Sequence, residues 1–307
     1  MMSKIVTLTI NPAVDKNTKF EGLVAEHKIR CEQPVYDAGG GGINVSKAIN
    51  RLGGESIAFF PAGGPIGDLL KDLVKKENVL FETVETVAWT RENFIAVDSA
   101  TNAQYRFGMP SPELTLEELE EILAKVKNRN PEILVVSGSL PENLSSIIFK
   151  RISEIFGENK PKIIVDTSGD ALKYALECGA YLIKPNHKEL AKLLGLEKIE
   201  SSQVESAAKA IIEKYKCEIV VVSMGPDGAM LFNNDQTHFV AAPKVEKKST
   251  VGAGDSMVGG MVWALSQNLP LSDVLKWGVA CGSAATMNEG TQLFKREDAE
   301  CLYESKI

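Results

Sequence analysis

No apolar run in this 307-residue sequence reaches the length of a bilayer, which argues against a membrane-spanning helix. The N-terminus passes from Met1 into the apolar stretch 5–10, which is too short for a secretory signal and lacks a small-residue cleavage site. We therefore expect a cytoplasmic protein. Positive charge is also scarce, since 34 lysines and arginines face 41 aspartates and glutamates, for a net charge of −7. This balance argues against nonspecific binding to nucleic acid or anionic membranes, so an anionic ligand needs a local basic cluster.

Cysteines are few and scattered. An odd number without any CxxC pair favours reduced thiols over disulfides or a zinc site. The five are Cys31, Cys178, Cys217, Cys281 and Cys301. Two nucleotide-binding motifs are missing as well, because neither GxxxxGK[ST] nor GxGxxG occurs. Their absence removes most of the support for a P-loop or a classical dinucleotide-binding protein.

The residues that are present indicate an ordinary globular protein, with 44% hydrophobic and 24% charged residues. Short apolar, β-branched runs alternate with segments of helical spacing, which predicts a parallel, doubly wound α/β sheet. The predicted strands are 5–10, 56–60, 133–137, 163–166, 181–183 and 219–223. Clear helical segments are 116–126, 204–215 and 256–265.

Two segments interrupt this alternation, at about residues 16–37 and 87–109. Both have strand-like alternation, and the second contains a turn-rich stretch at 99–103. They predict a small accessory sheet inserted into a single α/β domain that spans residues 1–307.

The strongest local motif is Ser249-Thr250-Val251-Gly252-Ala253-Gly254-Asp255-Ser256, which precedes an apolar helical run. A Gly-Ala-Gly turn that enters a helix lets backbone N–H groups approach an anion, and the helix dipole adds attraction. A carboxylate beside an anion site needs a function, and Asp255 is suited to accept the proton of an attacking hydroxyl. The alternative is that Asp255 is an N-cap after a glycine turn.

A second glycine cluster, Ala38-Gly39-Gly40-Gly41-Gly42-Ile43-Asn44-Val45, also precedes a helical pattern. Four glycines let the backbone pass close to a ligand, and Asn44 offers both a donor and an acceptor. The alternative for this cluster is a flexible hinge or turn.

Taken together, these two motifs resemble the two signatures of the ribokinase-like, phosphofructokinase B family of carbohydrate kinases. The similarity includes 7–15, 90–93, 104–107, 137–141, 184–189 and 282–286 and covers nearly the whole chain. The resemblance implies a Rossmann-like three-layer core with a β-sheet lid, which often forms a dimer contact, so we expect a homodimer. It also implies ATP-dependent, Mg²⁺-requiring phosphorylation of a sugar-phosphate hydroxyl.

Site residues follow from the same resemblance. Asp255 is the base, beside an anion hole at Gly252, Ala253 and Gly254. The sugar hydroxyls are expected at Asp15, Gly40 and Asn44. The phosphate already on the substrate is expected at Lys28, Arg30, Arg91, Arg106 and Ser139. Bidentate guanidinium contacts suit such a dianion, although a solvated basic edge strand is the alternative explanation for these cations.

For the nucleotide, the resemblance implies Lys184, Asn186, Ser223, Gly225, Gly228, Val279 and Ser283. Glu189 is implied as a Mg²⁺ residue that acts through water, although an exposed helix residue is the plainer interpretation. A K⁺ site is implied at Ser249, Val251, Ala285, Asn288 and Gly290. Gln292 departs from the arginine of similar members, and Gly108 replaces a bulkier residue near the sugar pocket.

The motifs at 90–93 and 104–107 favour fructose 6-phosphate as acceptor. Tagatose 6-phosphate and fructose 1-phosphate are alternatives. Two further hypotheses are a kinase for an unphosphorylated sugar or nucleoside and a catalytically silent sugar-phosphate sensor. The lid cations argue against the former, and the retained Asp255 argues against the latter, although fold alone does not prove activity.

Overall fold

The computed structural model describes residues 4–288, 290 and 292–305. Met1, with which the sequence analysis of the N-terminus begins, lies outside these residues. The strands are β1 Ile5–Leu8, β2 Ala13–Phe20, β3 Val35–Gly39, β4 Ile57–Ala62, β5 Leu80–Glu85, β6 Arg91–Asp98, β7 Gln104–Phe107, β8 Ile133–Ser137, β9 Lys162–Asp166, β10 Leu182–Ile183, β11 Ile219–Ser223, β12 Ala229–Phe232 and β13 Thr237–Val240. The helices are α1 Gly41–Arg51, α2 Gly64–Lys76, α3 Leu116–Asn128, α4 Ile148–Phe156, α5 Asp170–Glu177, α6 His187–Leu193, α7 Val204–Tyr215, α8 Ala253–Ser266, α9 Leu271–Thr286 and α10 Arg296–Glu304.

Among the described residues, nine strands form the main sheet in the order β13-β12-β11-β10-β9-β8-β1-β4-β5. Neighbours from β5 to β11 pair in parallel, and β12 pairs antiparallel with both β11 and β13. Strand β1 lies between β4 and β8, so the chain builds the sheet outward from β1 in both directions. Ligands of doubly wound sheets bind at the carboxyl ends of the strands beside such a reversal.

Helices cover both faces of this sheet. One apolar cluster joins its strands to α3–α7, with Leu119, Ile152 and Ile211 fully buried. A second cluster joins them to α1 and α8–α10, with Val262 and Leu275 fully buried. Strand β8, Ile-Leu-Val-Val-Ser, is buried at every residue, which explains its continuous apolar sequence. The predicted three-layer α/β fold is confirmed.

A separate sheet of four strands, in the order β3-β2-β6-β7, lies beside this core. Its predicted existence and the turn after β6 are correct, and the predicted segment 87–109 contains β6 and β7, but the predicted segment 16–37 is too short at both ends. Strand β2 begins at Ala13 because Ala13 pairs with Gly39 of β3 on one side and with Arg91 of β6 on the other. Pairing partners that are distant in sequence therefore extend the sheet back to Ala13 and forward into the glycine cluster at Gly39.

Other predicted limits differ by a few residues. Helix α8 begins at Ala253 rather than at residue 256, because Gly252 ends the preceding turn and occupies the N-cap position of the helix. Strands β5, β12 and β13 were not predicted. No helix in the described part of the chain is both long and apolar enough to cross a bilayer. All five cysteines are free, as predicted.

Candidate active site

The glycine cluster forms the N-terminus of α1, at the carboxyl ends of β1 and β8. Gly40 precedes the helix with a φ of 130°, a backbone angle that residues other than glycine rarely adopt. A Cβ atom on Gly41 would lie 2.4 Å from Ser137 Oγ, and one on Gly42 would lie 2.6 Å from Thr9 Oγ1. The glycines therefore permit close backbone packing at the start of α1.

The second motif forms the N-terminus of α8. Gly252 is the residue before the helix and has the left-handed φ of 73°. Asp255 is the third residue of the helix, and its Oδ2 atom accepts a hydrogen bond of 2.9 Å from Asn44 Nδ2 of α1. Because Gly252 occupies the capping position and makes no side-chain capping bond, the N-cap interpretation of Asp255 is wrong. The two glycine motifs meet through this hydrogen bond.

Burial is the main cause that raises the pKa of Asp255 to about 6, and the nearby Asp166 carboxylate contributes to the rise. The hydrogen bond from Asn44 and the positive charges of Lys184 and Lys47 act in the opposite direction. A carboxylate with this pKa is ionised at neutral pH but holds a proton more readily than a solvated aspartate. This is the property expected of a general base.

Lys184 lies on the other side of the α8 turn. Its buried ammonium forms an ion pair of 3.1 Å with Asp166, which ends β9. A Cβ atom on Gly254 would lie 3.6 Å from Lys184 Nζ, so the cation borders the turn. Burial acts to lower the pKa of Lys184, but the carboxylates of Asp166, Glu189 and Asp255 outweigh it and raise the pKa. The turn thus combines the backbone N–H groups of a helix N-terminus, the helix dipole and a buried lysine whose raised pKa favours its positive charge.

A cleft of about 390 Å³, here called the sheet cleft, separates the small sheet from these two helix termini. Seven of the predicted substrate and catalytic residues line it: Asp15, Gly40, Asn44, Arg91, Arg106, Gly252 and Asp255. Ser139 lies beside it, where Asn11 Nδ2 donates to its Oγ over 3.0 Å. Lys28 and Arg30 are exposed on the connection between β2 and β3 and are not part of the lining.

Asp15 is held at the floor of the sheet cleft by Asn93 Nδ2, which donates to its Oδ1 over 2.8 Å. Burial raises the pKa of Asp15, and Asp37 adds to the rise, whereas Asn93, Lys47 and Arg106 oppose it. The half-buried Arg91 donates to the carbonyls of Met109 and Asn11. These bonds orient its guanidinium at one end of the cleft.

A second cleft of about 540 Å³, here called the helix cleft, lies between α8, α9 and the turn after β11. Its lining includes the apolar residues Pro226, Pro243, Val245 and Met257, which suit the aromatic ring of a nucleotide base. The lining also contains Lys184, Ser223, Gly225, Gly228, Val279 and Ser283, all predicted nucleotide residues. Thr250 lines both clefts, so they meet at the α8 turn.

Asn186 and Glu189 are not part of the lining of the helix cleft. They form a reciprocal capping box at the start of α6, in which Asn186 Oδ1 accepts from the backbone N–H groups of Lys188 and Glu189. Glu189 Oε2 in turn accepts from Asn186 N over 2.9 Å. The structure thus gives both residues a local role, and their predicted roles toward Mg²⁺ and nucleotide remain predictions.

The predicted K⁺ residues lie near one another between α9 and the α8 turn. Ser249 Oγ donates to the Gly290 carbonyl over 2.9 Å and accepts from Val251 N. Asn288 Nδ2 donates to the Ala284 carbonyl. Carbonyl and hydroxyl oxygens are ligands suited to such an ion, and a carbonyl ligand does not depend on the glutamine at 292.

Four neighbours of the site were not among its predicted residues. Asn93 lies in the quoted 90–93 motif, and Asp166 ends a predicted strand, so both had a positional signal. Lys47 is buried in α1, although it lies off the apolar stripe of Val45, Ala48 and Ile49, so the helical pattern gave no signal for it. Asn11 follows β1 and contacts Ser139 only because the carboxyl ends of β1 and β8 are adjacent.

A mostly parallel three-layer fold, with a helix N-terminus and a buried carboxylate between two clefts, defines an α/β phosphotransferase. The chain belongs to the pfkB family of carbohydrate kinases, whose model matches residues 5–298. It is 42% identical over 304 residues to the ATP-dependent 6-phosphofructokinase isozyme 2 of Escherichia coli K12, covering 98% of each chain. The crystal structure of E. coli phosphofructokinase-2 in complex with potassium superposes with a TM-score of 0.94 at 42% identity, with 98% of each chain covered. The structure of that enzyme with fructose 6-phosphate gives 0.90 at 40% identity and the same coverage. The family resemblance drawn from the sequence is confirmed.

Proposed function

We propose that this carbohydrate kinase is an ATP-dependent 6-phosphofructokinase, which phosphorylates the 1-hydroxyl of fructose 6-phosphate to give fructose 1,6-bisphosphate and ADP. The observation that carries the proposal is the meeting of the sheet cleft and the helix cleft at the α8 turn, beside Asp255. Similarity to an E. coli enzyme of that name supports the choice of substrate.

In the proposed reaction, the sugar lies in the sheet cleft with its 1-hydroxyl at Asp255. The hydroxyl oxygen forms a bond to the γ-phosphorus of ATP, the bond from that phosphorus to the β,γ-bridging oxygen breaks, and the hydroxyl proton passes to Asp255. Backbone N–H groups of Gly252–Gly254 and the Lys184 ammonium stabilise the negative charge on the transferring group. Most of the rate enhancement in such transfers comes from positioning and charge stabilisation.

The phosphate that stays on the sugar is assigned to Arg91 and Arg106, which line the sheet cleft opposite the α8 turn. Lys28 and Arg30 lie outside that lining, so a phosphate contact from them requires a moved 21–34 segment or a second subunit. A homodimer through the small sheet agrees with this requirement, because its outer strands β3 and β7 have open edges. Sedimentation at micromolar concentration tests this, and a fully active monomer refutes it.

Mg²⁺ neutralises phosphate charge and polarises the transferring phosphoryl group when it is bound with ATP. Glu189 is the residue assigned to such an ion, through water, and its carboxylate acts on Lys184 beside the α8 turn. No cluster of three or more His, Cys, Asp or Glu side chains that could hold a metal occurs among the described residues. Mg²⁺ in kinase sites keeps several waters and is carried largely by substrate phosphates. K⁺ at the Ser249–Gly290 site is also part of the proposal.

The proposed location is the cytoplasm. All five cysteines are free, and Cys31 and Cys301 are exposed, which suits a reducing compartment.

A substrate panel with purified protein tests the function. ADP release is followed with MgATP and each of fructose 6-phosphate, fructose 1-phosphate, tagatose 6-phosphate and ribose. The highest kcat/KM is expected on fructose 6-phosphate. Tagatose 6-phosphate differs from it at one hydroxyl, and an unpaired buried polar group costs about 1–3 kcal/mol, so measurable side activity is expected. A higher kcat/KM on any other acceptor refutes the substrate, and no ADP release with any of them supports the silent sensor.

A further inference from the structure

Lys47 is a buried lysine with no part in the proposed reaction. Its side chain is only 5% exposed, and its ammonium donates to the carbonyl oxygen of Ala38 over 2.8 Å. Burial lowers the pKa of Lys47, which means that the folded protein disfavours the charge it carries. An apolar side chain on this face of α1 would avoid that cost. The retained charge therefore calls for an explanation.

The bonded carbonyl gives the first part of that explanation. Ala38 is the first residue of the glycine cluster, and Lys47 is about one turn after Asn44 on α1. The ammonium therefore ties the strand that enters the cluster to the helix that leaves it. A Cβ atom on Gly39 would lie 2.6 Å from Asp15 Oδ2, so a shift of this backbone would displace Asp15 as well. The same bond thus joins the helix that carries Asn44 to the backbone that packs against Asp15.

The surrounding charges give the second part. Asp15 of β2 and Asp37 of β3 lie directly opposite each other in the antiparallel pair, an arrangement that is unfavourable for two carboxylates. The groups that act on Lys47 are Glu77, Asp37 and Asp15, which raise its pKa, and Arg51, which lowers it. Lys47 in return lowers the pKa of Asp15, as Arg106 does, and that of Asp255, as Lys184 does. One buried cation thus acts on both carboxylates of the sheet cleft, as a smaller contribution beside their burial.

We propose that Lys47 is a positioning residue of the sugar site, which clamps the glycine cluster to α1 and supplies the positive charge that Asp15 and Asp255 face. The proposal rests on the kinase function proposed above. It does not depend on which phosphosugar is the acceptor, because Lys47 acts on the protein groups.

The test compares Lys47→Met, which keeps the length and removes the charge, with Lys47→Arg, which keeps the charge. Lys75→Met, at an exposed position near the end of α2, is the control for loss of one lysine. Kinetics are measured from pH 5.5 to 8.5 with the phosphosugar that the unaltered protein uses best. Absence of activity on fructose 6-phosphate then refutes the proposed substrate, while the comparison among variants still decides the role of Lys47.

For K47M we expect a loss of about tenfold to a hundredfold in kcat/KM for the sugar, from misplaced site groups, with the KM for ATP within about twofold. The acid limb of its kcat/KM profile should move up by roughly half a pH unit to one pH unit, since a nearby positive charge is lost. K47R should keep the acid limb of the unaltered protein. Folding is checked by circular dichroism and thermal unfolding, and Lys47→Gln replaces a K47M that does not fold.

Three results overturn the proposal. The first is a folded neutral variant with unchanged sugar kcat/KM and acid limb. The second is a K47R variant whose acid limb moves as far as that of K47M. The third is failure of both neutral variants to fold while K47R is folded and active, which shows a role in folding alone.

Discussion

Replacement of Asp255 by asparagine tests the centre of the proposed mechanism. Asparagine keeps the size of the side chain, and its amide oxygen can still accept the bond from Asn44, but it cannot take a proton. We expect kcat to fall by about 10²–10⁴-fold, the usual contribution of a general base, with little change in ATP affinity. The assay is coupled ADP release at saturating MgATP, with Asp235→Asn in the exposed β12–β13 turn as the control.

The pH dependence follows from the raised pKa of Asp255, about 6 against an ordinary 3.8. Only the ionised carboxylate can act as a base, so kcat/KM of the unaltered protein should fall as the pH drops through about 6. The D255N variant should lose this limb together with its activity.

The same raised pKa, which favours catalysis, lowers the stability of the folded protein at neutral pH. Because the folded protein disfavours the ionised carboxylate, its cost is absent below pH 3.8 and complete above about 6. At 1.36 kcal/mol for each pKa unit, the cost above pH 6 is about 3 kcal/mol. D255N should therefore be more stable than the unaltered protein at pH 8, and the difference should shrink toward zero near pH 4. Turnover within threefold of the unaltered protein, or no gain in stability at pH 8, would refute the assignment of Asp255.

Further predictions concern the rest of the site. Arg91→Ala and Arg106→Ala should weaken fructose 6-phosphate binding far more than ATP binding in calorimetry, because both line the sheet cleft; equal losses contradict the assignment. Asp166→Asn should weaken nucleotide use, since it leaves the buried Lys184 ammonium without its carboxylate. It should also shift the acid limb of kcat/KM to lower pH, because a negative charge that raises the pKa of Asp255 is gone. An unchanged limb argues against this coupling between Asp166 and Asp255. Gly41→Ala should destabilise the fold by more than about 1 kcal/mol, since its Cβ would clash with Ser137 Oγ. A Cβ at position 254 meets no such clash, so Gly254→Ala should lower kcat at unchanged stability. Thermal unfolding and kinetics on the two glycine variants separate these effects, and equal destabilisation of both disproves the distinction.

Much of the fold could be predicted because its local patterns are unambiguous. Strands β8 and β11 lie at the predicted residues 133–137 and 219–223, since strands buried on both faces have continuous apolar sequences. Helix α7 also has its predicted limits, from Val204 to Tyr215. Strand β10 has only two residues, too few for a periodic pattern to set its ends.

The site divides in the same way. The sequence alone determined the two glycine motifs with the candidates Asn44 and Asp255, because glycine runs before helical patterns are visible locally, and the family resemblance added Asp15. Only the tertiary structure decided that Asn44 donates to Asp255 across 211 positions, and that Lys184 pairs with Asp166. It also placed Asn93 on Asp15 and a charged lysine on the buried side of α1. The physical reason is that sequence periodicity reports only which face of a helix or strand is buried. The order of the strands in the sheet decides which distant side chains are buried together, and these neighbours then shift each other's pKa.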